Sequence, residues 1–282
     1  MNKYITIVLI SHKSKDLILN FITNLYNKFK IIIIDNSNDR ELEKNIKLNY
    51  PNITIKLIEN NGYGSAINFA NKLITTDYFI ISNPDVIGLD EENILKFISA
   101  ANALNDQFSC LGPRYIDENK KSHIQSDLKI EIAEMKFISG ACMFFKKKTY
   151  DSLGGFDENF FLYFEESDFC LRAHKVKKNY QINMIKVKHY TGTSVQEINI
   201  EKKRKLQELY NWHFIWSKFY YYKKNYGYFY SLIYFFPIII RTIFKIVFNI
   251  ISENKFQEKK YRIRLDGLVS SIRGKESYKR IN

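Results

Sequence analysis

KIIIIDNS, residues 30–37, reads as a β-strand buried on both faces that ends in three polar residues. The same pattern recurs on either side of it. TIVLI (6–10) precedes it, and ITIKLI (53–58) and YFIISNPD (78–85) follow. Helical stretches fall between these runs. Ser14 is placed to cap a helix over 15–28, whose apolar positions Leu17, Ile18, Phe21, Ile22 and Leu25 have helical spacing. A polar helix is expected over about 39–49, and NNGYGSAINFANKL (60–73) is a glycine-bearing loop running into a helix. Four strand–helix repeats with apolar strands predict an α/β fold with a parallel sheet covered on both faces. Ligands bind such sheets outside the carboxyl ends of the strands. Here those ends deliver Ser11–His12, Asp35–Asn36–Ser37, Asn60–Asn61–Gly62 and Asn83–Pro84–Asp85, all polar and all expected along one edge.

The second half is less regular. FISGACMFF (137–145) is strand-like, 150–164 is turn-rich around Gly154–Gly155, and 165–178 is a candidate helix. INMIKVKHY (182–190) is a strand, 201–225 a charged and aromatic helix, and 226–251 almost wholly apolar. The expected division is therefore a body over 1–200 and a C-terminal region over 201–282.

Composition narrows the function classes. The chain has 282 residues, 45% hydrophobic and 26% charged, which is a globular balance. Three cysteines, Cys110, Cys142 and Cys170, exclude a disulfide scaffold and a cysteine zinc site. The net charge is +13, and residues 202–282 hold all of it, with 18 Lys/Arg against 5 Asp/Glu. A neutral body with a basic tail points to an anionic surface met by the tail alone. MNKYITIVLI has neither the length of a signal h-region nor a small-residue cleavage site, so the body is expected in the cytosol.

Several residues could carry chemistry. Asp85 ends a buried strand where an acid can face a metal or a ribose, although Asn-Pro-Asp is also a good turn sequence. In FFLYFEESDFCLR (160–172) three acids, Glu165, Glu166 and Asp168, follow an aromatic run. Acids in a first helical turn complement the helix dipole, which explains one acid better than three. An aromatic wall can also raise a carboxylate pKa and make it a base near neutral pH. His189 stands near a strand end, where a lone histidine is more often packed than a ligand. The Asn60–Gly64 loop could hold phosphate through backbone N–H groups, although it is neither a P-loop nor a dinucleotide fingerprint.

The ordered set of Ser11–His12, IIIIDNS, NNGYGSAIN, ISNPDV, ISGACMFF, GGFDENFFLYFEESDFCLR and KHYTGTS resembles glycosyltransferase family 2 over about residues 3–195. Within it, the rhamnosyltransferase-like branch that builds bacterial surface polysaccharides is the nearest in pattern. The resemblance implies a GT-A fold, in which a Rossmann-like, mostly parallel half binds a nucleotide-sugar and the other half an acceptor. It places Asp35 at the nucleoside base and Ser11 and His12 at the nucleotide edge. Asn61, Gly62, Gly64 and Asn68 fall near ribose and sugar. Asp85 matches the last acid of the family's Asp-x-Asp metal motif, and Asn83 stands where its first Asp often does. The implied cofactor is Mg²⁺ or Mn²⁺, with His189 as a further contact. Glu165–Glu166 matches a Glu-Asp pair whose second member is the catalytic base, so Glu166 is the expected base, with Glu165 and Asp168 as alternatives. Arg172 is expected to anchor one of these acids. The implied reaction is inverting transfer from dTDP-rhamnose or a UDP-sugar to a saccharide acceptor.

The C-terminal region bears on location. Residues 229–251 are long enough to span a bilayer, but Pro237 interrupts them and Arg241 and Lys245 lie inside. Each charge at a helix centre costs about 2.5–3.5 kcal/mol on insertion scales. Arg241, Lys245 and Asn249 recur at i+4, which predicts a polar face on an otherwise apolar helix lying in the membrane interface. The expected partner of 226–282 is then an anionic membrane surface at the inner face of the cytoplasmic membrane. Such a tail would suit an acceptor carried on a polyprenyl lipid. Packing of the same residues on the body or in a dimer is the plain alternative. A nucleic-acid-binding tail is disfavoured because the apolar run is continuous. A nucleotidyltransferase is disfavoured because TIVLISHKSKD lacks glycine and arginine. An inactive sugar-nucleotide-binding relative is opposed by the retained acids.

Overall fold

The computed structural model describes residues 2–116, 124–190, 195 and 199–280. The apolar runs form β1 (Asn2–Ser11), β2 (Phe29–Asp35), β3 (Thr54–Leu57) and β4 (Tyr78–Ser82). They pair in parallel, with Ser11 opposite Asp35 and Leu9 opposite Ser82, so the carboxyl ends lie level. Between them lie α1 (Lys15–Ile22), α2 (Arg40–Asn49) and α3 (Tyr63–Asn71). Helix α1 is shorter than its spacing predicts. Ser14 sits at its cap position but makes no side-chain cap; its hydroxyl accepts from the His12 N–H at 3.0 Å.

Two-residue β5 (Val86–Ile87) follows β4, then α4 (Glu91–Ala103) and β6 (Leu111–Tyr115). The second half adds β7 (Ile132–Met135), β8 (Cys142–Lys146), α5 (Lys147–Ser152), α6 (Glu165–Ala173) and β9 (Asn179–His189). The strand order is β3-β2-β1-β4-β8-β6-β9-β5, with β7 also on β9. Strand β8 runs antiparallel to β4 and to β6, so the sheet is parallel only in its first half and mixed beyond.

Alternation along the strands sends side chains to two cores. Ile5, Ile7, Leu9, Ile31 and Ile33 pack with α1, α2 and α4. Val8, Ile10, Ile32 and Ile34 pack with α3 and the later half of α6. Helices therefore cover both faces, as burial of both faces of these strands demands. Cys110, Cys142 and Cys170 are buried and free.

The chain divides into two compact units, 1–157 with 169–196, and 158–168 with 197–282. Membership of 158–168 in the second unit is not readable from sequence. That unit contains α7 (Ile200–Tyr226), α8 (Tyr228–Ile251) and α9 (Lys255–Ile272). Ile215, Phe219, Phe235 and Leu268 form its core. Gly267 lets α9 approach α7 closely: a Cβ there would lie 2.6 Å from the Trp212 carbonyl oxygen. Trp212 Nε1 donates to Asp266 at 2.7 Å beside it.

Two expectations about 226–251 are corrected. Pro237 lies inside α8 and does not end it. It is exposed, and the apolar residues on both sides keep the helix going past its missing N–H. Lys245 and Asn249 do not form a wet face. Lys245 Nζ meets the Tyr261 hydroxyl of α9 at 2.8 Å, Asn249 is buried, and its amide donates to the Lys245 carbonyl at 2.6 Å. By length and composition α8 is apolar enough to cross a membrane.

Candidate active site

The level strand ends of the first unit are tied by a chain of polar contacts. His12 Nδ1 lies 2.8 Å from Asn36 Oδ1, and Asn36 Nδ2 donates to Asn60 Oδ1 at 3.2 Å. Asn60 Oδ1 also accepts from the Gly62 N–H at 3.3 Å, just before α3. The ends of β1, β2 and β3 thus share one network. Asn36 and Asn60 hold it together, yet motif matching singles out neither. In sequence Asn36 is marked by its place after a buried strand, and Asn60 also by opening the glycine-bearing loop.

Ser11 is buried, and its hydroxyl has no hydrogen-bond partner among the described residues. A buried hydroxyl left in this state at a strand end suits a ligand or water as partner. Gly62 precedes α3 with φ 104°, and no side chain caps the helix there. Asn61 is exposed beside it, and Gly64 is buried in the first turn. This is a helix N-terminus able to face an anion.

Two predicted ligands have structural duties. Asp35 is fully buried, and its Oδ1 accepts from the Ser37 and Asp39 N–H groups at 3.0 Å each. Its carboxylate closes the turn after β2, and the Ser37 hydroxyl meets Oδ2 at 3.0 Å. Asn68 is further from the sugar role assigned by resemblance. Its Oδ1 accepts from the Tyr150 hydroxyl at 2.7 Å and the Phe156 N–H at 3.0 Å, and its Nδ2 donates to the Phe156 carbonyl at 2.9 Å. Asn68 therefore locks the Gly154–Phe156 turn. A Cβ on Gly155 would come within 2.5 Å of Asn68 Oδ1, which fixes glycine there along with a φ of +66°.

Asn83 starts the turn after β4: its N–H donates to the Ala141 carbonyl at 2.8 Å and its carbonyl accepts from Val86 N at 3.2 Å. The turn leads into β5, which pairs with the end of β9 so that Val86 lies opposite His189. This brings Asp85 Oδ1 to 3.3 Å from His189 Nε2, with side chains 1% and 8% exposed. The Thr191–Gly192 motif after His189 lies outside the described residues.

The second unit carries the acids. Tyr163 and Phe164 both have left-handed backbone, φ 69° and 71°, immediately before α6. Two successive non-glycine residues in that region persist only when their surroundings fix them. Phe164 packs on Phe214 and Tyr221 of α7 with ring centroids 5.7 and 5.5 Å apart, and Ser217 Oγ donates to the Leu162 carbonyl at 2.8 Å. This strained turn presents Glu165 and Glu166. Burial raises the pKa of both, and the neighbouring Glu166 charge raises that of Glu165 further.

Their surroundings differ. Glu165 is buried, and its Oε2 has no hydrogen-bond partner among the described residues. Glu166 is half-buried, and its Oε1 accepts from the Ser167 hydroxyl at 3.0 Å. Asp168 is fully buried and held by α7: Lys224 Nζ lies 2.8 Å from Oδ2, and Asn225 Nδ2 donates to Oδ1 at 3.2 Å. Arg172, expected to anchor one of these acids, donates to the Leu153 and Gly155 carbonyls at 2.6 and 2.7 Å.

A family model described as glycosyl transferase family 2 matches residues 6–226, more than half of the chain. The chain belongs to glycosyltransferase family 2. It is 22% identical over 200 residues to the low-salt glycan biosynthesis hexosyltransferase Agl10 of Haloferax volcanii, covering 62% of this chain and 63% of that protein. It is 26% identical over 203 residues to the rhamnosyltransferase WbbL of Escherichia coli K12, covering 59% of this chain and 75% of that protein. The chain thus spans less than two thirds of the length of Agl10. Among solved structures, S. aureus TarS 1–349 in complex with UDP-GlcNAc aligns with TM-score 0.56 and 13% identity, covering 99% of this chain and 94% of that one. GalNAc-T7 with UDP, GalNAc and Mn²⁺ aligns with TM-score 0.53 and 12% identity, covering 77% of this chain and 50% of that one. Both likenesses concern the fold, and the family's fold is GT-A.

Proposed function

We propose that this family 2 member is an inverting glycosyltransferase. It would move a sugar from a nucleotide-sugar, dTDP-rhamnose or a UDP-sugar, to a saccharide acceptor in glycan synthesis. The observation that supports this reading most is the pairing of Asp85 with His189 at the carboxyl edge of the sheet, in a chain of this family. The nucleotide would lie along the Ser11, His12, Asn36 and Asn60 edge, with its phosphates toward the Gly62–Gly64 turn. Asp35 would shape the part of that edge that meets the base, and Asn61 and Asn83 would flank the sugar.

A divalent cation fits Asp85 and His189. One hard carboxylate oxygen beside one imidazole suits Mn²⁺ at least as well as Mg²⁺. Among the described residues no three His, Cys, Asp or Glu side chains gather, so phosphate oxygens and water would complete its coordination. When bound, the cation would offset negative charge on the departing diphosphate.

Glu166 takes the proton of the acceptor hydroxyl in this reading. It is the more accessible member of the raised pair, and Ser167 orients it. Glu165, raised by burial and by the Glu166 charge, stays protonated beside it. Asp168 positions the turn and does not meet substrate. The acceptor would be carried on a polyprenyl lipid at the inner face of the cytoplasmic membrane.

Thermal shift against dTDP- and UDP-sugars tests donor binding. A ligand at one hundred times its Kd stabilises the folded state by about 2.7 kcal/mol. The expected result is a rise in Tm that grows with Mn²⁺ and loses its metal-dependent part in Asp85→Ala. A nucleotide shift indifferent to both metal and this substitution would remove the cation from Asp85.

The acid pair sets the pH dependence. The base acts as carboxylate, and burial favours its protonated form, so turnover should rise with pH through an apparent pKa above the ordinary glutamate range. The Glu166 charge raises Glu165, so Glu165 is protonated where Glu166 ionises, and Glu165→Gln should leave that limb in place. Stability runs the opposite way. A raised folded-state pKa contributes stability that is complete below the unfolded pKa and is lost as pH rises through the folded one. A limb that moves to lower pH in Glu165→Gln would mean that Glu165 carries its charge where Glu166 titrates.

A further inference from the structure

Helix α8 is amphipathic in the inverted sense. Ser231, Thr242, Lys245 and Asn249 lie on the face turned toward the other helices of its unit, together with Phe235 and Ile246, while Arg241 is exposed. The opposite face carries Phe229, Ile233, Phe236, Ile240, Phe244 and Ile251, at helical spacing and from 52% to 80% exposed. A monomeric soluble helix does not keep such a stripe in water without a reason.

Its neighbour indicates what covers it. Helix α9 runs antiparallel along the length of α8. Tyr228 near the start of α8 hydrogen-bonds the Ile272 carbonyl at the end of α9, at 3.4 Å, and Lys245 meets Tyr261 further along. Helix α9 bears exposed Lys255, Lys259 and Arg262 at i, i+4 and i+7, the last two in surface ion pairs with Glu208 and Glu258. If α8 crossed a bilayer, this pairing would carry those bases into hydrocarbon, where they are strongly disfavoured. Exposed Tyr226, Tyr228 and Tyr230 cluster at the start of α8, a residue type that prefers the headgroup level. Residues 202–282 hold the whole net charge of +13, which complements an anionic surface.

We infer that the α8–α9 hairpin is a monotopic membrane dock. The outward stripe of α8 lies in the plane of an anionic phospholipid leaflet and enters its acyl boundary, while the bases of α9 meet headgroups. This deepens the reading of the enzyme as acting on a lipid-carried acceptor. It is measured without turnover, so either can fail alone.

The test is flotation of the full chain with vesicles of phosphatidylcholine, with and without phosphatidylglycerol. The expected result is co-flotation that strengthens with phosphatidylglycerol and weakens with salt. Ile240→Glu with Phe244→Glu should lower the bound fraction on the order of tenfold or more, and Ile240→Ala with Phe244→Ala by less. Both pairs change exposed positions, and circular dichroism checks that the helices persist. Trypsin enclosed inside the vesicles should leave the chain intact. Binding unaffected by either pair would overturn the assignment of this surface. So would a lipid-free dimer that the glutamate pair dissolves, since a second copy would then be what covers the stripe. Cleavage near Lys255 by enclosed trypsin would overturn the in-plane arrangement.

Discussion

Glu166→Gln should lower turnover by about 10²–10⁴-fold, the usual range for loss of a general base, and leave donor affinity nearly unchanged. That loss is about 2.7–5.4 kcal/mol of transition-state stabilisation at 1.36 kcal/mol per decade. The substitution keeps the shape of the side chain and its contact with Ser167, so the strained turn before α6 is undisturbed. What it removes is the capacity to take a proton. Nucleoside diphosphate release from the donor, with acceptor or with water as a slow acceptor, reads the rate. Thermal shift with the donor reads binding. Glu165→Gln is the control, because its carboxylate is buried with one oxygen unpartnered among the described residues. It should leave both the pH profile and the maximal rate nearly unchanged. If Glu165→Gln proves the silent-rate variant and Glu166→Gln turns over normally, the two roles are exchanged. If both turn over normally, neither acid is the base.

The sheet was legible because its strands are short apolar runs closed by polar residues. A strand buried on both faces cannot disguise itself, and KIIIIDNS and its three companions set the parallel half directly. The second half was less legible because β6, β7 and β9 mix parallel and antiparallel pairing, and no local residue records the direction of a partner. Helix α8 shows another limit. Periodicity placed Lys245 and Asn249 on one face, but whether a face turns to water or to a neighbour depends on what α9 offers, here the Tyr261 hydroxyl. Pro237 looked like a break because propensity counts its missing N–H, whereas packing of the flanking turns carries the helix through.

The site divided along similar lines. Asp85 and His189 were legible as separate residues, and their meeting at 3.3 Å follows from a two-residue strand that no pattern predicts. The resemblance assigns Asn68 to the sugar, and in the structure its amide bonds Tyr150 and Phe156, far along the chain. Asn36 and Asn60 went the other way. They are ordinary turn residues in sequence and become the centre of a network once three strand ends lie level.

The largest expected loss of stability is at Lys224. Asp168 is a fully buried carboxylate, and Lys224 Nζ at 2.8 Å is the cation beside it. Lys224→Met takes this cation away from a carboxylate in a dry site, which should cost about 2–4 kcal/mol. The reverse change is milder. The Lys224 side chain is 28% exposed, so in Asp168→Asn its ammonium can turn to water while the new amide keeps a bond to Asn225; about 1–2 kcal/mol is expected. Asp168→Leu combined with Lys224→Met should be less harmful than Lys224→Met alone, because no buried charge is then left behind. Urea unfolding of the unsubstituted chain, Asp168→Leu, Lys224→Met and the double variant closes the cycle. Losses of equal size in Lys224→Met and Asp168→Asn would mean that the pair acts through its mutual attraction and not through the burial of Asp168. A change under about 0.5 kcal/mol in Lys224→Met, the scale of an ordinary surface substitution, would deny the pair any structural role. The catalytic consequence follows from position. The Asp168 N–H donates to the Phe164 carbonyl at 2.8 Å, so this carboxylate and its lysine fix the turn that presents Glu165 and Glu166. Lys224→Met should therefore lower kcat as well as stability, with donor affinity spared, and Lys224→Arg should restore most of both. A kcat that does not move when the pair is broken would mean that the strained turn is held by Phe214, Ser217 and Tyr221 alone.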